Sequence, residues 1–345
     1  MADTLLLRAL KGEPKLLNLS NKKLDKVPKI IGKLCTVLQV QLKNNKLKDL
    51  PKEFGSLVQL EILNIGNNEL DSLPQALQHL INLTVLHAFN NRIKELSPVV
   101  ISNLRQLVLL NLNSNQLTFL PTEICRLTSL QNLSLDNNLL EELPFEICAL
   151  TKLKELHLAN NRLTSLPLEF GYLINLEKLY LQKNRLRELP ESLGKCFKLS
   201  TLDVAANELR IFPTELAKLP LRELYCEANP LLQNLPVHSV QEEEVLTLKE
   251  MCARQVMHEL KDRWSYTRKS IEHYPELKEM LSQSSKCGVC GNAFLNTWLE
   301  CVKFVDSKEI GMVKTLSGRI PVRTLLCSYK CFNEPGHDLY GVAFP

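Results

Sequence analysis

The sequence predicts an α/β repeat solenoid of about ten units followed by a helical segment and a small β-rich module, and three observations carry that reading. Nine asparagines, Asn45, Asn68, Asn91, Asn115, Asn138, Asn161, Asn184, Asn207 and Asn229, recur at intervals of 22 to 24 residues. Around them runs LxxLxLxxNxLxxLP, complete from Leu153 to Pro167 and again from Leu176 to Pro190. After Pro236 the period is lost, and two close cysteine pairs, Cys287-x-x-Cys290 and Cys327-x-x-x-Cys331, follow. A fixed period signals stacked supersecondary units, none of which buries its apolar face alone.

Residues 1–13 form a lead-in to a solenoid spanning 14–236. The first unit keeps Leu17, Leu19, Leu24, Val27 and Pro28 but has Lys22 where later units have asparagine, which reads as an N-terminal cap. In each unit LxLxx alternates, predicting a short strand with its leucines inward. The chain must then turn a corner away from water. An inward Asn amide, donor and acceptor at once, can satisfy the freed backbone groups, so stacked asparagines predict a ladder. The Leu-Pro that follows ends the strand and opens a convex segment, such as TEICRLTSL after Pro121, too brief for a full helix. The unit around Asn91 is irregular, with Ala88 at an inward leucine position and its proline displaced to Pro98. The last unit breaks at Asn229-Pro230.

The array resembles the leucine-rich-repeat family, which implies a concave sheet that binds proteins. On that face two groups are candidate partner-binding residues: His87 with Phe89, and His157 with Tyr180 and Tyr225. Aromatic side chains bury much area at small entropic cost, as binding hot spots require. The bland alternative is that nine strands expose a few aromatics without consequence. No Ser, Cys or carboxylate stands at a matching position to build a triad with either histidine, so the reading is not an enzyme.

Composition narrows the function classes further. Only 12 glycines are present, with no GxGxxG or GxxxxGK[ST], which argues against a nucleotide-binding enzyme. A net charge of +4 makes no case for nucleic acid or a polybasic membrane binder. No apolar run approaches the roughly 18 residues of a membrane helix, and MADTLLLRALKGEPK does not read as a signal peptide. Six of the 11 cysteines, Cys35, Cys125, Cys148, Cys196, Cys226 and Cys252, are scattered singly, as expected of small buried hydrophobes in a reducing, cytoplasmic or nuclear compartment.

Residues 237–282 read as a helical segment. Leu248, Cys252, Val256 and Leu260 form a narrow apolar stripe, Thr247 with Glu250 makes a capping box, and Glu242 to Glu244 favour the helix start. Such a stripe either caps the last repeat or docks a partner. The string TLKEMCARQV, Thr247 to Val256, resembles the BC-box of Elongin-binding ubiquitin-ligase receptors. That resemblance implies Leu248 as the anchor in a pocket, Cys252 as the small residue one turn on, and Val256 as the following aliphatic.

Residues 283–345 hold the cysteine pairs. Four thiolates on one Zn²⁺ explain two short spacings in a reducing compartment better than disulfides do, so Cys287, Cys290, Cys327 and Cys331 are candidate ligands of a closed, structural site. WLECVKFV and RTLLCSY predict a small antiparallel sheet, with Cys301 in its core and His337 as a substitute ligand. From Val237 onward 14 Lys/Arg balance 14 Asp/Glu, which disfavours nucleic acid.

Array, BC-box-like helix and CxxC…CxxxC together resemble a group of intracellular leucine-rich-repeat proteins, and the opening LLLRALKG and NKKLDKVP resemble one member most closely. The group implies a non-enzymatic substrate-recognition adaptor of an Elongin-cullin ubiquitin ligase. Its cullin box calls for an apolar residue, Pro, two residues and another apolar residue. Here Tyr274-Pro275 is followed by Leu277 one place early, with Lys278 at the apolar place, so a cullin is implied by the group and not by these residues. The alternative is a signalling scaffold that binds a small GTPase or phosphatase.

Overall fold

The computed structural model describes residues 14–232, 246–262, 265–295, 299–306, 319–334 and 336–341, with residues 6, 10, 12, 310, 312 and 313. Pro236, the Glu242–Glu244 run and most of the lead-in 1–13 lie outside them. The chain divides into two compact units. The first holds residues 1–209, 217–230 and 310–317, and the second holds 210–216, 231–309 and 318–345. The sequence pattern alone, divided at 236 and 282, does not anticipate this interleaving.

The first unit is a stack of parallel three-residue strands: β1 (Leu16–Asn18), β2 (Gln39–Gln41), β3 (Ile62–Asn64), β4 (Val85–His87), β5 (Leu109–Asn111), β6 (Asn132–Ser134), β7 (Glu155–His157), β8 (Lys178–Tyr180), β9 (Thr201–Asp203) and β10 (Glu223–Tyr225). Each strand's middle residue is buried, and like positions pair directly, Leu63 with Leu86 and Leu179 with Leu202. The array therefore is a leucine-rich-repeat solenoid, as the period predicts.

The asparagine ladder closes each corner. Asn161 donates through Nδ2 to the carbonyls of Leu158 and Leu135, at 3.1 and 3.0 Å, while its Oδ1 accepts the N–H of Leu140 at 3.1 Å. Both sides of one amide thus bind the neighbouring rung, so every rung supports the next. At the N-terminal cap, Lys22 takes no such place: its backbone N–H donates to Asn45 Oδ1 at 3.1 Å and its side chain is exposed.

The convex segments after each proline are single 3₁₀ turns, such as Lys52–Ser56 and Thr122–Arg126. The exception is the irregular unit. Its displaced proline stands at the first turn of α1 (Pro98–Asn103), where a missing N–H costs nothing. Ala88 takes the inward leucine place fully buried.

The residue before each ladder asparagine sits at positive φ, between 52° and 60° at Asn44, Asn67, Asn90, Ser114, Asn137, Asn160, Lys183, Ala206 and Ala228, and Asn21 before Lys22 does the same. Asparagine tolerates that region better than other non-glycine residues, which accounts for the Asn-Asn pairs of the sequence. Ser114, Lys183, Ala206 and Ala228 adopt the same backbone at higher local cost.

The second unit begins with α2 (Leu248–Glu259), α3 (Tyr266–Ser270) and α4 (Pro275–Ser282). A hairpin of β11 (Ser285–Lys286) and β12 (Ala293–Phe294) follows. β13 (Leu299–Asp306) lies between β15 (Arg319–Leu326) and β16 (Leu339–Gly341) in an antiparallel sheet, and α5 (Tyr329–Asn333) follows β15. β14 (Met312–Val313), which falls in the chain between β13 and β15, belongs to the first unit and pairs parallel with β10. The expected antiparallel sheet is present, with Cys301 fully buried in it.

The single cysteines divide evenly. Cys148, Cys196 and Cys226 are buried, and burial pushes their thiols up to about 12, 11 and 12, which leaves them unreactive. The expectation of burial fails for Cys35 and Cys252, which are exposed, and for Cys125, which is half-buried. Cys35 lies just beyond the convex turn Lys29–Lys33, with its thiol 3.5 Å from the Gly32 carbonyl, and Cys252 faces away from the packed side of α2.

Candidate functional site

The concave face of the solenoid places the expected aromatic residues in a ladder. Register carries one row through Asn64, His87, Asn111, Ser134, His157, Tyr180, Asp203 and Tyr225. His157 and Tyr180 stack with ring centroids 4.5 Å apart and planes 24° from parallel. Tyr225 lies two strands from Tyr180, with Asp203 between them, so the predicted trio is a stacked pair and a separate tyrosine.

Charge surrounds the stacked pair. His157 has Asp136 Oδ2 3.8 Å from Nδ1 and Glu155 Oε2 3.8 Å from Nε2, and Glu155 Oε1 meets Lys178 Nζ at 2.8 Å. The bond to Lys178 holds the Glu155 carboxyl below its ordinary value. Burial raises Asp136, against the opposing pull of the Ala159 N–H and His157. The amide oxygen of Gln182 is buried without a hydrogen-bond partner among the described residues. Sequence reading misses both carboxylates: register brings Asp136 to the ring from the neighbouring rung, and Glu155 stands two residues before His157 on the same face of β7.

The second patch lies nearer the N-terminal end. Phe89 packs edge-on to His87 at 6.4 Å, and Lys43 Nζ stands 5.4 Å from the Phe89 ring centre. A Cβ on Gly66 would lie 2.7 Å from that ring, so the glycine makes room for Phe89 to lie over the sheet. Burial, then Lys43, lowers His87 from its ordinary value. Both patches form surfaces of half-buried aromatic rings ringed by charge, the composition of a protein interface.

In the second unit, three structural elements bring the four predicted cysteines together. Cys287 and Cys290 stand in the tight turn between β11 and β12, closed by Gly291 N–H to Cys287 O at 3.0 Å and Cys287 N–H to Asn292 O at 2.9 Å. Gly291 has φ +70°, which side chains avoid. Gly288 lets the turn lie against β15: a Cβ there would come within 2.2 Å of Thr324 Cγ2. Cys327 follows the end of β15, and Cys331 rides on α5, whose start is capped by Ser328.

All four sulfurs lie within 4.8 Å of one another, with Cys290 to Cys327 and Cys327 to Cys331 each at 3.6 Å. A tetrahedral ion at about 2.3 Å from each sulfur needs edges of roughly 3.8 Å, so the cluster could hold a metal. Burial raises the Cys327 and Cys331 thiols. At Cys287 burial acts the same way, but the backbone N–H groups of Cys327, Cys290 and Val289 outweigh it and bring the thiol to about 7. Cys301 stays outside the cluster as a core residue, raised to about 12 by burial. His337 also stays outside: its Nε2 meets Phe332 O and its Nδ1 accepts from the Leu339 N–H.

α2 is rotated relative to the stripe read from the sequence. Its buried residues are Glu250, Ala253 and Met257, with Ala253 and Met257 packed on Ile271 and Leu281. Val256 and Leu260 reach that core only in part, Cys252 is exposed and Leu248 is 73% exposed. Thr247 Oγ1 caps the helix by accepting the Glu250 N–H at 3.2 Å. The fully buried Glu250 carboxylate meets Arg254 Nε at 2.7 Å and accepts the Leu295 N–H at 3.2 Å. Arg254 Nη2 then donates to the Cys327 carbonyl at 2.7 Å. One side chain thus ties α2 to a residue of the sulfur cluster, a link that helical periodicity does not reveal.

The leucine-rich-repeat family profile matches residues 35–93, 81–140 and 151–209, and the two-copy repeat profile matches 128–170. Together these run from 35 to 209, half of the chain, and the protein belongs to the leucine-rich-repeat family. Within it, the chain is 47% identical over 126 residues to leucine-rich repeat-containing protein 69 of Xenopus laevis, and 41% identical over 123 residues to that of Homo sapiens. The first match covers 36% of each protein, so the chain matches about a third of the length of these relatives.

Among solved structures, a leucine-rich-repeat protein of Leptospira interrogans is 33% identical, with a TM-score of 0.58 over 66% of this chain and 64% of that one. The ectodomain of the Arabidopsis thaliana receptor kinase GASSHO1/SCHENGEN3, in complex with CASPARIAN STRIP INTEGRITY FACTOR 2, is also 33% identical. Its TM-score is 0.57 over 63% of this chain and 27% of that one. The fold is thus one that binds protein partners. Among the described residues no helix is long and apolar enough to cross a membrane.

Proposed function

We propose that this chain is a substrate-recognition adaptor of the Elongin-cullin type, taking a protein target on the concave sheet and docking Elongin through α2. The observation that carries the docking half is the division of α2. Ala253 and Met257 hold it to the second unit, while Leu248 and Cys252 stand on its exposed side. An anchor leucine free of its own core, with a small residue one turn later, suits a helix that enters a partner's apolar groove. The His157–Tyr180 pair, with Tyr225 and the His87–Phe89 patch, supplies the target face. The cullin has less support: Tyr274 and Leu277 are exposed, but Lys278 occupies the apolar place of the cullin box.

In the same reading Cys287, Cys290, Cys327 and Cys331 hold Zn²⁺, whose four-sulfur shell would leave no position for substrate. Bound zinc would cross-link the β11–β12 turn, the end of β15 and α5, and its role would be structural. This supports the non-enzymatic reading without a catalytic role for the metal.

The test is affinity recovery from cells with the Elongin subunits as readout. Wild type should recover them and Leu248→Asp should lose them while circular dichroism stays unchanged, because a carboxylate enters an apolar pocket only at a large desolvation cost. Recovery that survives Leu248→Asp, or none from wild type, would leave the solenoid as a scaffold for another partner.

A further inference from the structure

The chain's net charge of +4 conceals a sharp asymmetry. Residues 14–52 hold ten lysines, no arginine and two carboxylates, Asp25 and Asp49, a net +8 that leaves −4 for all other residues. Nine of the ten lysines are exposed, and the tenth, Lys43, is half-buried. Among the described residues their one ion pair is Lys29 with Glu53, at 3.8 Å.

Register makes the concentration more pointed. The rungs repeat every 23 residues here, so Lys23 and Lys46 share a column, as do Lys29 and Lys52. Rungs stand about 4.8 Å apart, inside the roughly 8 Å screening length at physiological salt, so like charges in one column oppose the stack. One rung further the places of Lys46, Lys48 and Lys52 hold Glu69, Asp71 and Gln75. The fold thus accepts acids at these positions, and the lysines of the first two rungs serve something other than folding.

They also surround a cleft. About 580 Å³ in volume, it is rimmed by Lys26, Lys29, Lys46 and Lys48, and Val27 and Leu50, both nearly fully buried, form its floor with Pro28 and Pro51. We propose that this cleft binds an extended acidic protein segment, carboxylates on the lysine rim and an aliphatic side chain on the floor. Electrostatic complementarity of this kind sets on-rate and specificity.

Other anionic partners fit less well. Residues 14–52 contain no aromatic side chain for bases to stack on, and no arginine fork for phosphates. A flat bilayer cannot enter a cleft. Asp25 and Asp49, which line it, oppose the dense phosphates of a nucleic acid or a lipid surface more than the spaced carboxylates of a peptide.

The experiment uses the full chain and a fluorescein-labelled peptide of glutamates interrupted by leucines, read by fluorescence anisotropy. Wild type should bind it and weaken at least about tenfold between low and high salt. Reversing Lys26, Lys29, Lys46 and Lys48 to Glu should weaken binding by a further tenfold or more at fixed salt. Reversing the exposed Lys94, Lys152, Lys195 and Lys269 changes net charge equally and should leave most of the affinity. Equal losses in both variants would reduce the effect to net charge and overturn the site. So would tighter binding of phosphatidylserine vesicles or of a single-stranded RNA than of the peptide. Replacing the peptide's leucines by serine tests the floor: unchanged affinity would overturn the aliphatic contact. Circular dichroism of both variants checks that the stack is intact.

Discussion

The two units hold themselves together by opposite means. In the solenoid the same small set of contacts recurs on every rung, with a buried strand leucine and a bridging asparagine each time, so no single residue decides the fold. In the second unit the order converges on two points, four sulfurs within 4.8 Å and the Glu250–Arg254 pair that reaches Cys327. Distributed stability tolerates local damage and frays from its ends. Concentrated stability fails as a whole when one point is lost.

The comparison breaks most readily at the sulfur cluster. If the cluster holds the zinc proposed for it, Cys327→Ser should abolish that binding and, because structural zinc supplies about 10–16 kcal/mol of apparent binding energy in small domains, unfold the second unit. Hydrogen exchange should lose protection across β13 and β15 and keep it across β2 to β9. Zinc measured by mass spectrometry should fall from one ion per chain to none, and protection of β15 that survives would show that the sheet stands without its clasp.

A smaller loss is expected at the second point. Arg254→Met removes the ion-pair partner of the fully buried Glu250 carboxylate, at about 3–5 kcal/mol. The double change with Glu250→Gln should recover a large part of this, because the buried charge is gone. If the single change leaves urea unfolding of the second unit unmoved, α2 is not held by this pair.

Within the array, Asn161→Ala strands the Leu140 N–H and takes one of two amide donors from each of the Leu135 and Leu158 carbonyls, and should cost about 2–3 kcal/mol by calorimetry. The same change at half-buried Asn229 in the last unit should cost less than about 1 kcal/mol, since water can replace the amide there. Equal costs would contradict the picture of a stack whose middle is tighter than its end. The least effect belongs to Gly66→Ala, which displaces a flexible ring and should stay within about 0.5 kcal/mol of wild type. Its signature is the Phe89 ring resonance, which should shift as the ring leaves Lys43.

The same contrast governs what the sequence could reveal. Leu156 and Asn161 are legible because each recurs in nearly every unit, and repetition is visible without coordinates. The gathering of Cys287, Cys290, Cys327 and Cys331 was legible from two short spacings and the economy of one tetrahedral ion. What stayed hidden depends on single contacts between distant residues. Nothing local makes Glu250 a buried residue; its pairing with Arg254 and the Leu295 N–H does. The apolar stripe through Leu248 did not by itself separate a capping face from a docking face; the packing of Ala253 and Met257 on Ile271 and Leu281, which leaves Leu248 and Cys252 exposed, does.

The short β14 carries a consequence for self-association. Every parallel sheet ends in strands with unmet hydrogen-bonding groups, and a stack of identical rungs is an inviting template for another copy. Here Met312 and Val313 pair with Glu223 and Leu224, so a stretch from some ninety residues downstream covers the last rung. Growth of the sheet is thereby stopped by the chain's own far segment. A chain cut before residue 310 would leave β10 as a bare template, and filament formation by such fragments would be the price of losing two residues of strand.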